Sequence, residues 1–110
     1  MLFRSSDHPI GPLSPHLGIA TAIHRATPAG FVLNETEALT PRQALDAYTE
    51  GGAYAMGHEE QRGRIAIGAL ADLAILDRDI LQTASGAIAD TRARLTLVQG
   101  EIAYSEGTLS

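Results

Sequence analysis

One carboxylate near the start of the sequence, Asp7, stands among residue types that can do hydrolytic chemistry. Ser6, Asp7 and His8 are the three side chains of a nucleophilic relay, and they are contiguous. Neighbouring residues of an extended chain point to opposite faces, so contiguity argues against a relay, and a stand-alone hydrolase using Asp7 and His8 is the weakest hypothesis. Asp7 alone could bind a metal ion or accept a proton, or it could simply cap the turn that follows it.

The remaining histidines do not form a metal-binding pattern. His16 and His24 are eight residues apart, which is about 12 Å along a helix and too far to share one metal ion. We expect them to lie on the surface or to pack between helices. His58-Glu59-Glu60 lacks the second histidine of the zinc-protease helix motif and is read as a solvated connection.

Two further acids, Asp72 and Asp77, bracket a short apolar run. Aspartates at strand ends frequently cap turns, and we predict that role for both in preference to contact with a substrate. Tyr48 and Tyr54 are at helical spacing and are expected in the core.

Composition narrows the class of protein. The 110 residues carry a formal charge of −5 and no cysteine or lysine, which indicates one small domain or part of a larger one. A nucleic-acid surface would need clustered positive charge, and no apolar run approaches the roughly 18 residues of a membrane span. We therefore expect no nucleic-acid or membrane partner and a cytoplasmic location.

Two helical regions precede the sheet. Ser14 followed by Pro15 is a hydroxyl cap with proline at the first helical position, and the apolar residues after it predict a helix over 15–26. Residues 27–39 are expected to be a loop. Thr40 and Gln43 have the spacing of a capping box and predict a second helix, which the glycines at 51 and 52 interrupt before a short continuation.

The second half predicts an antiparallel sheet. Residues 63–79 contain an apolar pair, a glycine turn and a four-residue apolar run, which predict a short strand, a tight connection and a buried strand. Residues 94–98 alternate like a strand. Gln99 and Gly100 have the form of a two-residue hairpin turn before a return strand over 101–104.

These segments, in this order, resemble the end of the amidohydrolase superfamily, in particular amidohydrolase family 3. The resemblance extends over nearly the whole chain. The matching blocks are Ser6-Asp7-His8-Pro9, Pro12-Leu13-Ser14-Pro15, Leu17-Gly18-Ile19, Leu39-Thr40-Pro41, Ala44-Leu45, Ala47-Tyr48-Thr49, Ala53-Tyr54-Ala55, residues 68–77 and Val98-Gln99-Gly100-Glu101.

The resemblance implies an α+β chain that is the C-terminal fragment of a (β/α)8-barrel enzyme. Two to three helices would be followed by a small antiparallel sheet of three to four strands, which forms part of a composite β-sandwich. On this view residues 1–61 hold the end of the last barrel strand and the terminal helices, and residues 62–110 hold the sheet.

The resemblance also implies a metal-dependent hydrolase of non-peptide C–N bonds. Asp7 matches the family's aspartate that ligates a divalent metal, zinc being the expected ion, and takes a proton from the attacking water. The family's His-x-His pair, its lysine or carboxylate and its two later histidines have no counterpart here. A catalytic zinc usually has about three protein ligands, so the isolated chain is expected to be inactive, and its substrate, a small amide, would be met only in the intact enzyme.

An alternative from a different class stays open. The chain could be a non-catalytic scaffold module derived from such an enzyme, with its apolar surfaces buried by self-association. Large exposed apolar patches are rare on monomers, so this hypothesis predicts a homodimer or another homo-oligomer. The first hypothesis predicts association with the missing barrel portion instead.

Overall fold

Residues 5–107 form an α+β unit with three α-helices and one three-stranded antiparallel sheet, within the predicted range of two to three helices and three to four strands. The structure is a computed structural model that describes residues 5–107. Its helices are α1 (Pro15–His24), α2 (Pro41–Tyr48) and α3 (Glu50–Ala55), and its strands are β1 (Leu73–Leu76), β2 (Ala93–Val98) and β3 (Glu101–Ser105). Short 3-10 helices occupy Glu35–Glu37 and Ser85–Asp90.

Helix α1 begins where the sequence predicts and ends two residues earlier. The Ser14 hydroxyl accepts a hydrogen bond from the Leu17 N–H, and Pro15 opens the helix. Arg25 then takes a left-handed conformation with φ 54°, while its N–H donates to the Thr21 carbonyl at 2.7 Å. A residue in this conformation ends a helix, so the predicted extension to residue 26 is wrong.

Helices α2 and α3 are separated at Thr49, two residues before the first of the two glycines. The capping box is present: the Gln43 N–H donates to the Thr40 hydroxyl at 3.2 Å, and the Thr40 N–H donates to the Gln43 side chain at 3.0 Å. The break lies at Thr49, whose hydroxyl donates to the Leu45 carbonyl at 2.9 Å. Such a bond back to the preceding turn bends helices, and α3 then runs through both glycines without interruption.

The strand predicted around Ile65–Ile67 is absent. Residues 63–72 form turns, with the Ala69 N–H donating to the Ala66 carbonyl. Ile65 is 89% exposed and Ile67 is fully exposed. A strand needs a neighbour for its backbone groups, and within the described part of the chain this segment has none.

The sheet has the order β1-β2-β3. Gln99 and Gly100 form the predicted two-residue turn between β2 and β3, with φ of 51° and 84°. Both residues therefore take positive φ, as a type I′ hairpin requires. Strand β1 was predicted to be buried, which is wrong: Ile75 is 53% exposed, because only one side of the sheet has a described neighbour.

The hydrophobic core joins both halves of the chain. Ile19 from α1 and Ala44 from α2 pack with Ile80 and with Ile88 of the second 3-10 helix, and Leu76 of β1 packs against this cluster. The sequence analysis assigned no role to residues 80–90, so these two isoleucines were missed.

The two tyrosines differ in burial. Tyr48 packs against the core as predicted, whereas Tyr54 is 55% exposed and the prediction for it is wrong. Among residues 5–107, no helix has the length and apolar character that a membrane span needs.

A close approach at Gly63 provides the first testable prediction. This residue has φ 90°, and an added Cβ would lie 2.8 Å from the Ala53 Cβ and 2.9 Å from the Thr49 carbonyl oxygen. We expect Gly63→Ala to lower the free energy of unfolding by at least about 1 kcal/mol, from backbone strain and overpacking together. Urea denaturation measures the change.

Gly52 offers a matched control for that substitution. It lies within α3, and an added Cβ would have no heavy atom within 4 Å. Gly52→Ala should raise the free energy of unfolding by up to about 1 kcal/mol, since alanine is the better helix former. Equal effects of the two substitutions would contradict the close packing of residue 63 against α3.

Candidate functional site

Asp7 lies in an exposed turn that leads into α1. It has φ 51°, its N–H donates to the Ser5 hydroxyl at 3.3 Å, and its carbonyl accepts from the Ile10 N–H at 2.8 Å. The turn is thus closed by backbone atoms, and within residues 5–107 the Asp7 carboxylate accepts no hydrogen bond. The expected strand before it falls on residues 1–4, outside the described residues.

The side chains of Ser6, Asp7 and His8 do not form a relay. The His8 Nδ1 lies 3.3 Å from the Gly11 carbonyl oxygen, and no hydrogen bond joins the three side chains in the described part of the chain. The geometry therefore gives no support to a stand-alone hydrolase built on this tripeptide.

The described residues do not make a metal site by themselves. No group of three or more histidine, aspartate or glutamate side chains within residues 5–107 could hold a metal ion. His16 is half-buried, and burial lowers its pKa despite the opposing effects of the Asp77 charge and the Thr91 backbone. A site with three or more such ligands would therefore need side chains from residues beyond those described.

Asp72 ties the segment before the sheet to the β2–β3 hairpin. Its Oδ1 accepts the Gln99 N–H at 2.8 Å, and its Oδ2 lies 3.3 Å from the Nε of Arg62. The Gly100 N–H donates to the Ala71 carbonyl beside it at 3.0 Å. The prediction that Asp72 caps a turn is confirmed, and the sequence analysis missed its partner Arg62.

Asp77 plays the same part at the other end of β1. Its carboxylate accepts two bonds from the guanidinium of Arg78, at 3.0 and 2.9 Å, and a third from the Arg92 N–H at 3.1 Å. The Arg78 guanidinium, followed by the Arg92 N–H, lowers the pKa of Asp77 to about 2. Arg78 also donates to the Ala87 carbonyl at 3.2 Å, so the predicted cap of Asp77 holds the second 3-10 helix near the sheet.

A groove of about 700 Å³ opens between α1 and the turn that contains Asp7. One wall is α1 with Tyr48, the second is the turn through Ser6 and Pro12, and the third is a compact turn over residues 25–33. Most of that third wall lies in residues 27–39, which were expected from the sequence to be a loop. The groove lining is Ser5, Ser6, Pro12, Leu17, Gly18, Thr21, Ala22, Arg25, Ala26, Thr27, Pro28, Leu33 and Tyr48.

The sequence matches one known family. The sequence model of the amidohydrolase family matches residues 2–104, which is nearly the whole chain. The chain belongs to the amidohydrolase family, and the resemblance predicted from its motifs is confirmed.

Two relatives show how much of a family member the chain represents. It is 39% identical to the N-substituted formamide deformylase of Arthrobacter pascens over 100 residues, which are 91% of this chain and 18% of that enzyme. It is 35% identical to the putative amidohydrolase YtcJ of Bacillus subtilis (strain 168) over 104 residues, 92% of this chain and 20% of the relative. The chain thus spans about a fifth of the length of these curated relatives. No solved structure gives a significant match.

The environment of Asp77 predicts a specific pH dependence. A carboxyl whose folded-state pKa is lowered to about 2 contributes stability above its unfolded value, about 3.9, and loses that contribution as the pH falls toward 2. We expect the difference in urea midpoint between the wild type and Asp77→Asn to be largest above pH 5 and to shrink below pH 4.

An exposed ion pair supplies the control for the pH experiment. Arg42 and Asp46 pair one turn apart on α2, with more than two fifths of each side chain exposed. Arg42→Gln should change stability by no more than about 0.5 kcal/mol. A midpoint difference for Asp77→Asn that stayed constant from pH 6 to pH 2 would contradict the assigned role of Asp77.

Proposed function

We propose that this chain is the C-terminal part of a metal-dependent amidohydrolase that hydrolyses a non-peptide C–N bond, with Asp7 contributing one metal ligand. The observation that carries the proposal is the family match over residues 2–104 combined with coverage of about a fifth of each relative. On this proposal the chain contributes one residue, Asp7, to the metal site. The other ligands come from the remaining four fifths of the enzyme.

The geometry of Asp7 supports this role. Its exposed carboxylate has no hydrogen-bond partner within residues 5–107, so no ion pair in that range competes with a metal ion for it. The backbone turn that presents it is closed by the hydrogen bond from the Ile10 N–H to the Asp7 carbonyl. A free, exposed carboxylate on a defined turn suits a ligand that joins others from a different part of the protein.

The barrel origin of the helices and the composite sandwich are part of the same proposal. One face of the sheet carries a cluster of apolar side chains that lie opposite one another in the strand register. Ile75 and Ile102 within it are 53% and 57% exposed. We propose that a second sheet, built from residues outside this chain, covers that face. The cluster is Leu73, Ile75, Leu95, Leu97 and Ile102.

The proposed substrate class is suggested by the relative with the higher sequence identity. Its name states activity on N-substituted formamides, and we propose a small amide or formamide for the intact protein of this chain. The boundary between residues 1–61 and 62–110 and a cytoplasmic location stay predictions, and so does zinc as the metal.

A reconstitution experiment tests the role of Asp7. The chain is expressed with the Arthrobacter pascens deformylase from which the matching segment has been removed, and metal content and hydrolysis of an N-substituted formamide are measured. We expect metal and activity with the wild-type chain. Asp7→Asn should reduce hydrolysis by at least about 100-fold, because it removes a ligand and a proton acceptor, and should lower the metal content.

Asp46→Asn is the matched control, since Asp46 is paired with Arg42 on the surface of α2. It should leave both readouts unchanged. Elemental analysis of the isolated chain should find far less than one equivalent of metal. One equivalent that Asp7→Asn removes from the isolated chain would show a complete metal site there and refute the proposal that the site needs residues from the rest of the enzyme.

The second candidate function is a self-associating scaffold module. It is favoured by the number of large apolar side chains that the described residues leave exposed, among them Ile10, Leu13 and Phe31. Light scattering over a hundredfold range of concentration separates the two. A stable dimer that no complementing polypeptide dissociates would favour the scaffold, whereas a monomer at high concentration would eliminate it.

A further inference from the structure

The groove beside α1 continues onto an exposed apolar ridge. The ridge is Phe31, Val32 and Leu33, the end of the compact turn over residues 25–33. All three side chains are more than half exposed, Phe31 at 71%. Leu33 also lines the groove, so groove and ridge are one continuous surface, here called the α1 surface.

The ridge is held in place by hydrogen bonds of its own backbone. The Thr27 N–H donates to the Phe31 carbonyl at 2.8 Å, and the Leu33 N–H donates to the Arg25 carbonyl at 2.8 Å. The Thr27 hydroxyl accepts the Phe31 N–H at 3.2 Å, and Ala26 and Val32 form an antiparallel bridge. A turn ordered in this way presents its side chains with little further loss of conformational entropy on binding.

Within residues 5–107, the α1 surface carries little charge. Arg25 is the one charged residue among the described residues of the groove lining, and its Nε already donates to the Leu33 carbonyl at 3.0 Å. Charged residues make up 19% of the whole chain, so their near absence here is a feature of this surface. An uncharged, apolar surface around an aromatic side chain is typical of the core of a protein interface and not of a solvated face.

We infer that the α1 surface docks the part of the amidohydrolase fold that this chain lacks, with Phe31 as its principal anchor. The inference rests on the proposed function. The chain spans 18% and 20% of its two relatives, so about four fifths of a family member must pack somewhere against it. The α1 surface joins the turn that presents Asp7, through Ser5 and Ser6 in its wall. Docking there would therefore bring the other segments of the family fold to the Asp7 carboxylate.

Two other occupants of the α1 surface can be distinguished by experiment. A second copy of the chain could cover the surface, or a small apolar molecule could fill the groove. The net charge of −5 opposes close approach of two copies more than approach of a neutral partner. A small molecule in the groove would leave Phe31 exposed, because Phe31 is not part of the groove lining.

Co-purification tests the surface without relying on activity. The probe is the tagged Arthrobacter pascens deformylase from which the matching segment has been removed. The cut is placed where the shortened enzyme still binds its own segment when that segment is added back as a separate polypeptide. We expect the wild-type chain to be retained. Phe31→Asp should reduce retention at least tenfold, and Leu17→Asp, in the α1 wall of the groove, should also reduce it.

The controls separate docking from folding and from chemistry. Ile67 is fully exposed on the turn before β1, so Ile67→Asp adds the same charge elsewhere and should leave retention unchanged. Far-ultraviolet circular dichroism should show that Phe31→Asp keeps its helices. Asp7→Asn should be retained like the wild type while hydrolysis is lost, so a failure of the proposed chemistry would leave the docking result intact.

Several results would overturn the inference. Retention of Phe31→Asp and Leu17→Asp at the wild-type level would do so, as would failure of the wild-type chain to be retained by a probe that holds its own segment. A dimer of the isolated chain that Phe31→Asp converts to a monomer would assign the surface to a second copy. Protection of the α1 surface from hydrogen exchange by an N-substituted formamide alone would assign it to a small ligand.

Discussion

The packing of the second 3-10 helix against α1 holds the two halves of the chain together. Ile88 is fully buried in the cluster that contains Ile19 and Ala44, so the helices and the sheet share one core. Four of the six residues in that cluster come from the helices, and several are alanines. Burial of a small side chain contributes less than that of a leucine or isoleucine, which makes the two isoleucines from residues 80–88 decisive for this fold.

Around that core, the acids of the family motif act as structural connectors. Asp72 joins the start of β1 to the β2–β3 hairpin through the Gln99 N–H, and Asp77 joins its end to Arg78 and Arg92. Each carboxylate satisfies backbone or guanidinium groups at a strand end, where the ladder stops supplying partners. These two acids of the family motif are thus explained by the construction of the sheet.

Local signals predicted the local structure well. The capping box at Thr40, the proline at position 15 and the Gln99-Gly100 turn each depend on neighbours within a few residues, and all are present. Burial was predicted poorly because it depends on distant or external partners. Ile75 was expected to be buried, but an apolar run does not show whether the layer that covers it lies in the same chain. Ile88 was not predicted as a core residue, since it lies in a segment without a clear pattern. Asp7 was predicted as a metal ligand by resemblance alone, because a single carboxylate carries no pattern of its own, and that role stays a prediction.

If Asp7 acts as proposed, the distribution of apolar side chains would connect the chemistry of this chain with its folding. Its core is small, while its sheet face and its α1 surface leave large side chains in water. A partner that binds only the folded chain adds a stability that grows with the partner's concentration relative to its dissociation constant. The same contact would supply the neighbours that Asp7 needs to act as one ligand among about three. Assembly of the site and stabilisation of the chain are therefore expected to occur together, with the Asp7 turn, which adjoins the α1 surface, as the point where the two meet.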